Sequence, residues 1–97
     1  MDNITVVANI QIKKEFVSEV YEVLVELHKK TNELDEGCIS YKFHKDLEKD
    51  NSFTFIEVWE NIEFLKLHSQ KEHFKKFTDF IEGKIESMNV QKLEQVK

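Results

Sequence analysis

Phe53-Thr54-Phe55-Ile56-Glu57-Val58-Trp59 is the stretch on which the fold turns. Side chains alternate across a strand, so Phe53, Phe55, Glu57 and Trp59 share one face while Ile56 and Val58 share the other. Both faces are apolar. A chain of 97 residues has one layer of helices to offer, enough for one face only. A strand buried on both sides needs a second cover, and a partner subunit supplies it most simply.

Working back from Phe53, Glu48-Lys49-Asp50-Asn51-Ser52 is a polar turn cluster of the hairpin kind. Before it, Cys38 to Leu47 reads as the hairpin's other strand, with Ile39, Tyr41 and Phe43 on one side. Further back the period lengthens. Phe16, Val20, Val23, Leu24, Leu27, Thr31 and Leu34 recur at three- and four-residue steps, an amphipathic helix with Glu19, Glu22, Glu26, Lys29 and Lys30 outward. Asn32 to Gly37 closes it, glycine taking a left-handed conformation at low cost. Ile4 to Ile12 alternates again and predicts the first strand.

Working forward, Asn61 is suited to cap a helix carrying Phe64, Leu65 and His68. That helix is expected to break or bend around Ser69 to Glu72. A further helix carries Phe74, Phe77, Ile81 and Ile85, and Met88 to Val96 alternates weakly as a last strand. The order is β-α-β-β-α-β, an α+β, ferredoxin-like antiparallel sheet with helices on one face. The whole chain, 1–97, reads as one domain.

Composition narrows the function classes. Hydrophobic residues at 40% and charged residues at 34% describe a soluble globular chain. No apolar run approaches the roughly 20 residues needed to cross a bilayer, and no charged-then-apolar leader precedes Ile4, so a cytoplasmic location is expected. Net charge is −5 and arginine is absent, which argues against nucleic-acid partners. Cys38 is the single cysteine, compatible with a reducing compartment.

Among residues that carry chemistry, His28, His44, His68 and His73 match no zinc-ligand spacing, and a metal site is not expected. His68 and His73 would lie on different faces of an unbroken helix. Glu57 points into an aromatic face, where a carboxylate is either a structural hydrogen-bonded or interface group or an acid–base with a raised pKa. Phe74 and Phe77 read as core or as the wall of a substrate pocket. Cys38 reads as a small buried residue.

The run Glu36-Gly37-Cys38-Ile39-Ser40-Tyr41, then His44 and Asp46, then Phe53, Glu57-Val58-Trp59-Glu60, then Leu65, His68 and His73-Phe74, resembles the antibiotic biosynthesis monooxygenase domain family. The resemblance covers nearly the whole chain. It implies a homodimer whose sheets pack face to face, a dimeric α/β barrel. It also implies chemistry of the quinol monooxygenase type: oxidation of a small quinol or hydroxylated aromatic without flavin, haem or metal. On that expectation the protein uses no cofactor, His68, His44 or Glu57 takes the phenolic proton, and Trp59, Phe55, Tyr41, His73, Phe74 and Phe77 bind the substrate. Relatives of the same fold include haem-degrading enzymes and a quorum-signal-processing enzyme. Here Glu36 replaces the family's usual Pro, and the positions of the haem branch's Asn and His hold Ala8 and Thr78, with Asn9 on the other face. Haem degradation is therefore disfavoured. A non-catalytic small-molecule-binding domain and an isomerase-like enzyme processing a signal compound are the alternatives.

Overall fold

The computed structural model describes residues 3–96. Strand β1 (Ile4–Ile12) leads through a single 3-10 turn, Lys14–Phe16, into helix α1 (Val17–Leu34). The hairpin β2 (Cys38–Lys45) and β3 (Ser52–Trp59) follows, then α2 (Ile62–His68), α3 (Glu72–Ile81) and β4 (Ile85–Glu94). The strands form one four-stranded antiparallel sheet in the order β2-β3-β1-β4. The ferredoxin-like expectation holds, with the second helix divided in two.

The helices close one face of the sheet over β2, β3 and β1, while β4 beyond Ile85 stays exposed. Val6, Ala8, Ile10 and Ile12 of β1 and Phe53, Phe55 and Trp59 of β3 are buried there against Val20, Leu24 and Leu27 of α1 and Phe77 and Ile81 of α3. Apolar burial at about 25 cal/mol per Å² makes this layer the main stabilising element. On the opposite face Ile56 keeps 41% and Leu93 keeps 44% of its surface exposed. Register places Val7 beside Ile56 and Thr5 between Val58 and Leu93, so these residues form one apolar patch. Among the described residues no helix is long and apolar enough to cross a membrane.

Three local readings are corrected. Ile39 does not share a face with Tyr41 and Phe43: the register slips between Cys38 and Ser40, a bulge that leaves Ile39 more than half exposed. Ile85 does not belong to α3. That helix stops at Ile81, Gly83 turns the chain at φ +79°, and Ile85 pairs with Ile12. The last strand accordingly begins at Ile85 and ends at Glu94, not at Val96.

The turn from α1 to β2 positions the candidate site. Gly37 adopts φ +74°, and a Cβ built there would lie 2.1 Å from Cγ of Phe64 on α2. Only glycine fits, on both backbone and steric grounds. The Gly37 carbonyl accepts the Glu60 N–H at 2.9 Å, which ties the turn to the end of β3. Asn61 caps α2 as expected, its side chain accepting the Phe64 N–H at 3.1 Å. The start of β2 and the start of α2 are thereby locked together, and Asp35, two residues before Gly37, is brought to His68, one helical turn after Phe64.

Candidate active site

Asp35 was not among the candidate residues, yet it is the centre of the site. It follows the last residue of α1, and its N–H still bonds the Thr31 carbonyl at 3.1 Å. Its side chain is 1% exposed and meets two imidazoles. One oxygen is hydrogen-bonded to Nδ1 of His68, and the other lies 2.7 Å from Nε2 of His73. His68 ends α2 and His73 sits in the first turn of α3. The break at Ser69–Lys71, held by a Ser69 hydroxyl donating to the Lys66 carbonyl at 2.7 Å, lets both histidines face one carboxylate. On a continuous helix a five-residue spacing would part them.

His68 sits among aromatic rings. The Trp59 ring centre is 4.7 Å from it, Phe74 4.9 Å and Tyr41 5.4 Å. Burial pushes the His68 pKa down, and Asp35 opposes but does not overcome this. The ring is therefore neutral at neutral pH. With Nδ1–H directed at Asp35, its buried Nε2 is a lone pair without a hydrogen-bond partner.

Glu57 stands at the edge of the same aromatic group. It is 5% exposed, and one oxygen accepts the Trp59 indole N–H at 2.9 Å. Burial pushes its pKa up to about 7, against the smaller effect of the indole bond. Both sequence readings of Glu57 thus describe one group, hydrogen-bonded and titrating near neutrality. The Tyr41 hydroxyl is pushed far upward, first by burial and then by the Glu57 charge, and stays protonated. Burial raises the Cys38 thiol to about 11, so it is no nucleophile at neutral pH.

The other expected site residues divide. Tyr41, Trp59, His68, His73 and Phe74 are together. Phe55 is 4% exposed and packs tilted against Tyr41 with ring centres 5.1 Å apart, deeper in the core. Phe77 packs on Phe74 at 5.7 Å and also lines a groove between α1 and α3. His44 is apart from all of them. It pairs with Thr54 on the uncovered sheet face, its Nδ1 3.3 Å from the Thr54 carbonyl. Strand parity, odd for Tyr41 and even for His44, separates the two.

The groove has a volume of about 480 Å³. Val23, Leu27, Leu34 and Phe77 form its apolar wall, and His73 stands in it. Of the three residues of the Asp35 cluster, His73 is the one that lines this opening, at 10% side-chain exposure. Phe55 and Trp59 are closely packed, 4% and 0% exposed, and form an aromatic floor beside the groove. Asp35 gave no signal in the sequence because it lies outside the helical stripe and its side chain meets His68, 33 positions away.

Comparison with known proteins gives this arrangement a family. A Pseudomonas aeruginosa protein of known structure superposes with a TM-score of 0.93 at 23% identity, over 100% of this chain and 97% of its own. A structure described as an antibiotic biosynthesis monooxygenase gives 0.90 at 27% identity, over 97% and 99%. An uncharacterised protein of Synechocystis is 37% identical over 78 residues, 80% of this chain, which spans about half (52%) of that relative's length. The antibiotic biosynthesis monooxygenase family model matches residues 3–79, from the first strand through the Asp35, Glu57–Trp59 and His68–His73 positions, and the chain belongs to that family.

Proposed function

We propose that the protein is a monooxygenase of small hydroxylated aromatics, with the α1–α3 groove as the way in and His73 as the group that receives the phenolic proton. The observation that carries this reading is the Asp35 carboxylate placed against both histidines, one of them on the groove wall beside Phe77. An imidazole with a carboxylate at one nitrogen carries its proton there, and the other nitrogen becomes the acceptor. For His73 the nearby Asp35 charge, 2.7 Å from Nε2, favours the proton on Nε2 without an aligned hydrogen bond, and that leaves Nδ1 as the acceptor. A phenol deprotonated in the groove becomes an electron-rich phenolate able to reduce dioxygen. One oxygen atom enters the ring as a carbonyl and the other leaves as water: hydroxyarene plus dioxygen gives quinone plus water. The apolar wall lowers the local dielectric and favours stacking, while the proton transfer contributes typically 10²–10⁴-fold. His68 and Glu57 complete the ionisable set beneath the floor.

The apolar patch of Val7, Ile56, Val58 and Leu93 supports a homodimer joined through the uncovered sheet face, as the two-sided β3 pattern anticipates.

Oxygen uptake with a panel of naphthols and quinols tests the assignment. Turnover should appear with at least one member, and His73→Gln should lower kcat by about 10² or more with little effect on KM. Unchanged kinetics in a folded His73→Gln protein would remove His73 from the chemistry. The closed floor of Phe55 and Trp59 favours a second reading, a binding domain without turnover. In that case aromatic ligands raise Tm while oxygen uptake stays at background across the panel.

A further inference from the structure

The Asp35 cluster also has the chemistry of a cation site, which the sequence spacing of its histidines concealed. One ligand atom from each of Asp35, His68 and His73 falls within 4.8 Å of the others. Tetrahedral zinc with bonds of 2.0–2.2 Å holds its donors about 3.3–3.6 Å apart, wider than the 2.7 Å between His73 Nε2 and Asp35 Oδ1, so the side chains open by about 1 Å to admit the ion. The His73 contact is informative in detail. Its Nε2 is 2.7 Å from Asp35 Oδ1, yet neither atom has a hydrogen-bond partner. The ring axis at Nε2 therefore points beside the oxygen. An N–H···O bond would need the two aligned; two donors converging on a third body would not. Asp35 is 1% exposed, so Oδ1 is a buried acceptor aimed into the cluster with its capacity unused.

We infer that Asp35, His68 and His73 bind one divalent cation of the zinc class through a carboxylate oxygen, Nδ1 of His68 and Nε2 of His73. Two imidazoles and a carboxylate suit zinc, cobalt or nickel and disfavour calcium or magnesium, which seek oxygen donors. To offer Nδ1, His68 moves its proton to Nε2, among the Trp59 and Phe74 rings, and His73 offers Nε2 by carrying its proton on Nδ1. Neither histidine need gain or lose charge, and a bound cation and a phenol-accepting His73 Nδ1 exclude each other in one molecule. Three protein ligands leave a further position for water, on the side of the groove that His73 lines. The way in is acidic on balance: Glu22, Glu26 and Glu72 line it against Lys30 and Lys76. This site goes beyond the monooxygenase reading and does not depend on it.

Calorimetric titration of the untagged, metal-stripped full chain with zinc chloride at pH 7.5 tests the site. The expected result is one zinc per chain with a Kd on the order of 1 µM or tighter, and a matching rise in Tm. Cobalt should give the visible d–d absorption of a low-coordinate site and be displaced by zinc. His73→Gln should weaken binding by at least about tenfold, a loss of 1.4 kcal/mol or more. Because His73 lies at the groove, that variant is expected to fold; circular dichroism verifies this. Asp35→Asn serves as the second variant. His44→Gln, on the far sheet face, should leave the isotherm unchanged. Absence of stoichiometric binding overturns the inference. So does zinc binding that survives in folded His73→Gln or falls with His44→Gln. Oxygen uptake is not measured here, so failure of this site and failure of the proposed oxygenation are separately visible.

Discussion

The two faces of the sheet carry similar residue types and use them differently. The helix-covered face pairs aromatic rings with ionisable groups, Trp59 with Glu57 and with His68, all buried. The uncovered face spreads Val7, Ile56, Val58 and Leu93 among polar neighbours such as Asn9 and Thr54, whose side chains bond at 2.6 Å. Only the covered face removes water around titratable groups, and removal of water shifts their pKa values. An apolar strand face therefore becomes a site only where a second layer closes over it; left uncovered, it stays solvated among its polar neighbours.

Trp59→Ala probes this contrast most strongly. Trp59 is 0% exposed, so its truncation leaves a cavity and strips Glu57 of its donor; about 3–5 kcal/mol of stability should be lost in urea denaturation. Ile56→Ala, three positions away on the other face, should cost the isolated chain much less. Equal losses would mean the faces are equally packed.

Glu57 sharpens the comparison through pH. Burial raises its pKa from 4.5 to about 7 in the folded chain, so the folded state holds a proton that the unfolded state has released. Its contribution is fully present below pH 4.5 and is lost as pH rises through 7, on the order of 2–3 kcal/mol. Glu57→Gln should abolish this decline, measured as the difference between wild-type and variant stability from pH 4.5 to 8. A constant difference over that range would show that Glu57 is solvated.

The smallest effect on the chain itself is expected from Ile56→Lys. A charge on an already exposed position should change folding stability by about 0.5 kcal/mol or less. It should nevertheless halve the mass seen by sedimentation, because a dimer through this face would bury the charge unpaired. An unchanged mass, dimeric or monomeric, would detach this face from assembly.

Much of the fold was legible because periodicity is local. The alternation of Ile4–Ile12 and Phe53–Trp59, the stripe of α1 and the Asn61 cap each depend on neighbours within a few residues, and all are present. Glu57 was legible as a candidate for the same reason, since strand parity alone sets it beside Trp59. The bulge at Ile39 and the early end of α3 at Ile81 were not legible, because strand pairing decided both against the apolar pattern. Sequence by itself determined which residues share a face within the unbroken elements β1, β3 and α1, and so which could meet water or core there. Only the tertiary structure decided that Asp35 joins His68 and His73. That contact requires Gly37 in a left-handed turn against Phe64 and a helix broken between the histidines. Those conditions concern how separate elements close on one another, which no spacing along a single element encodes.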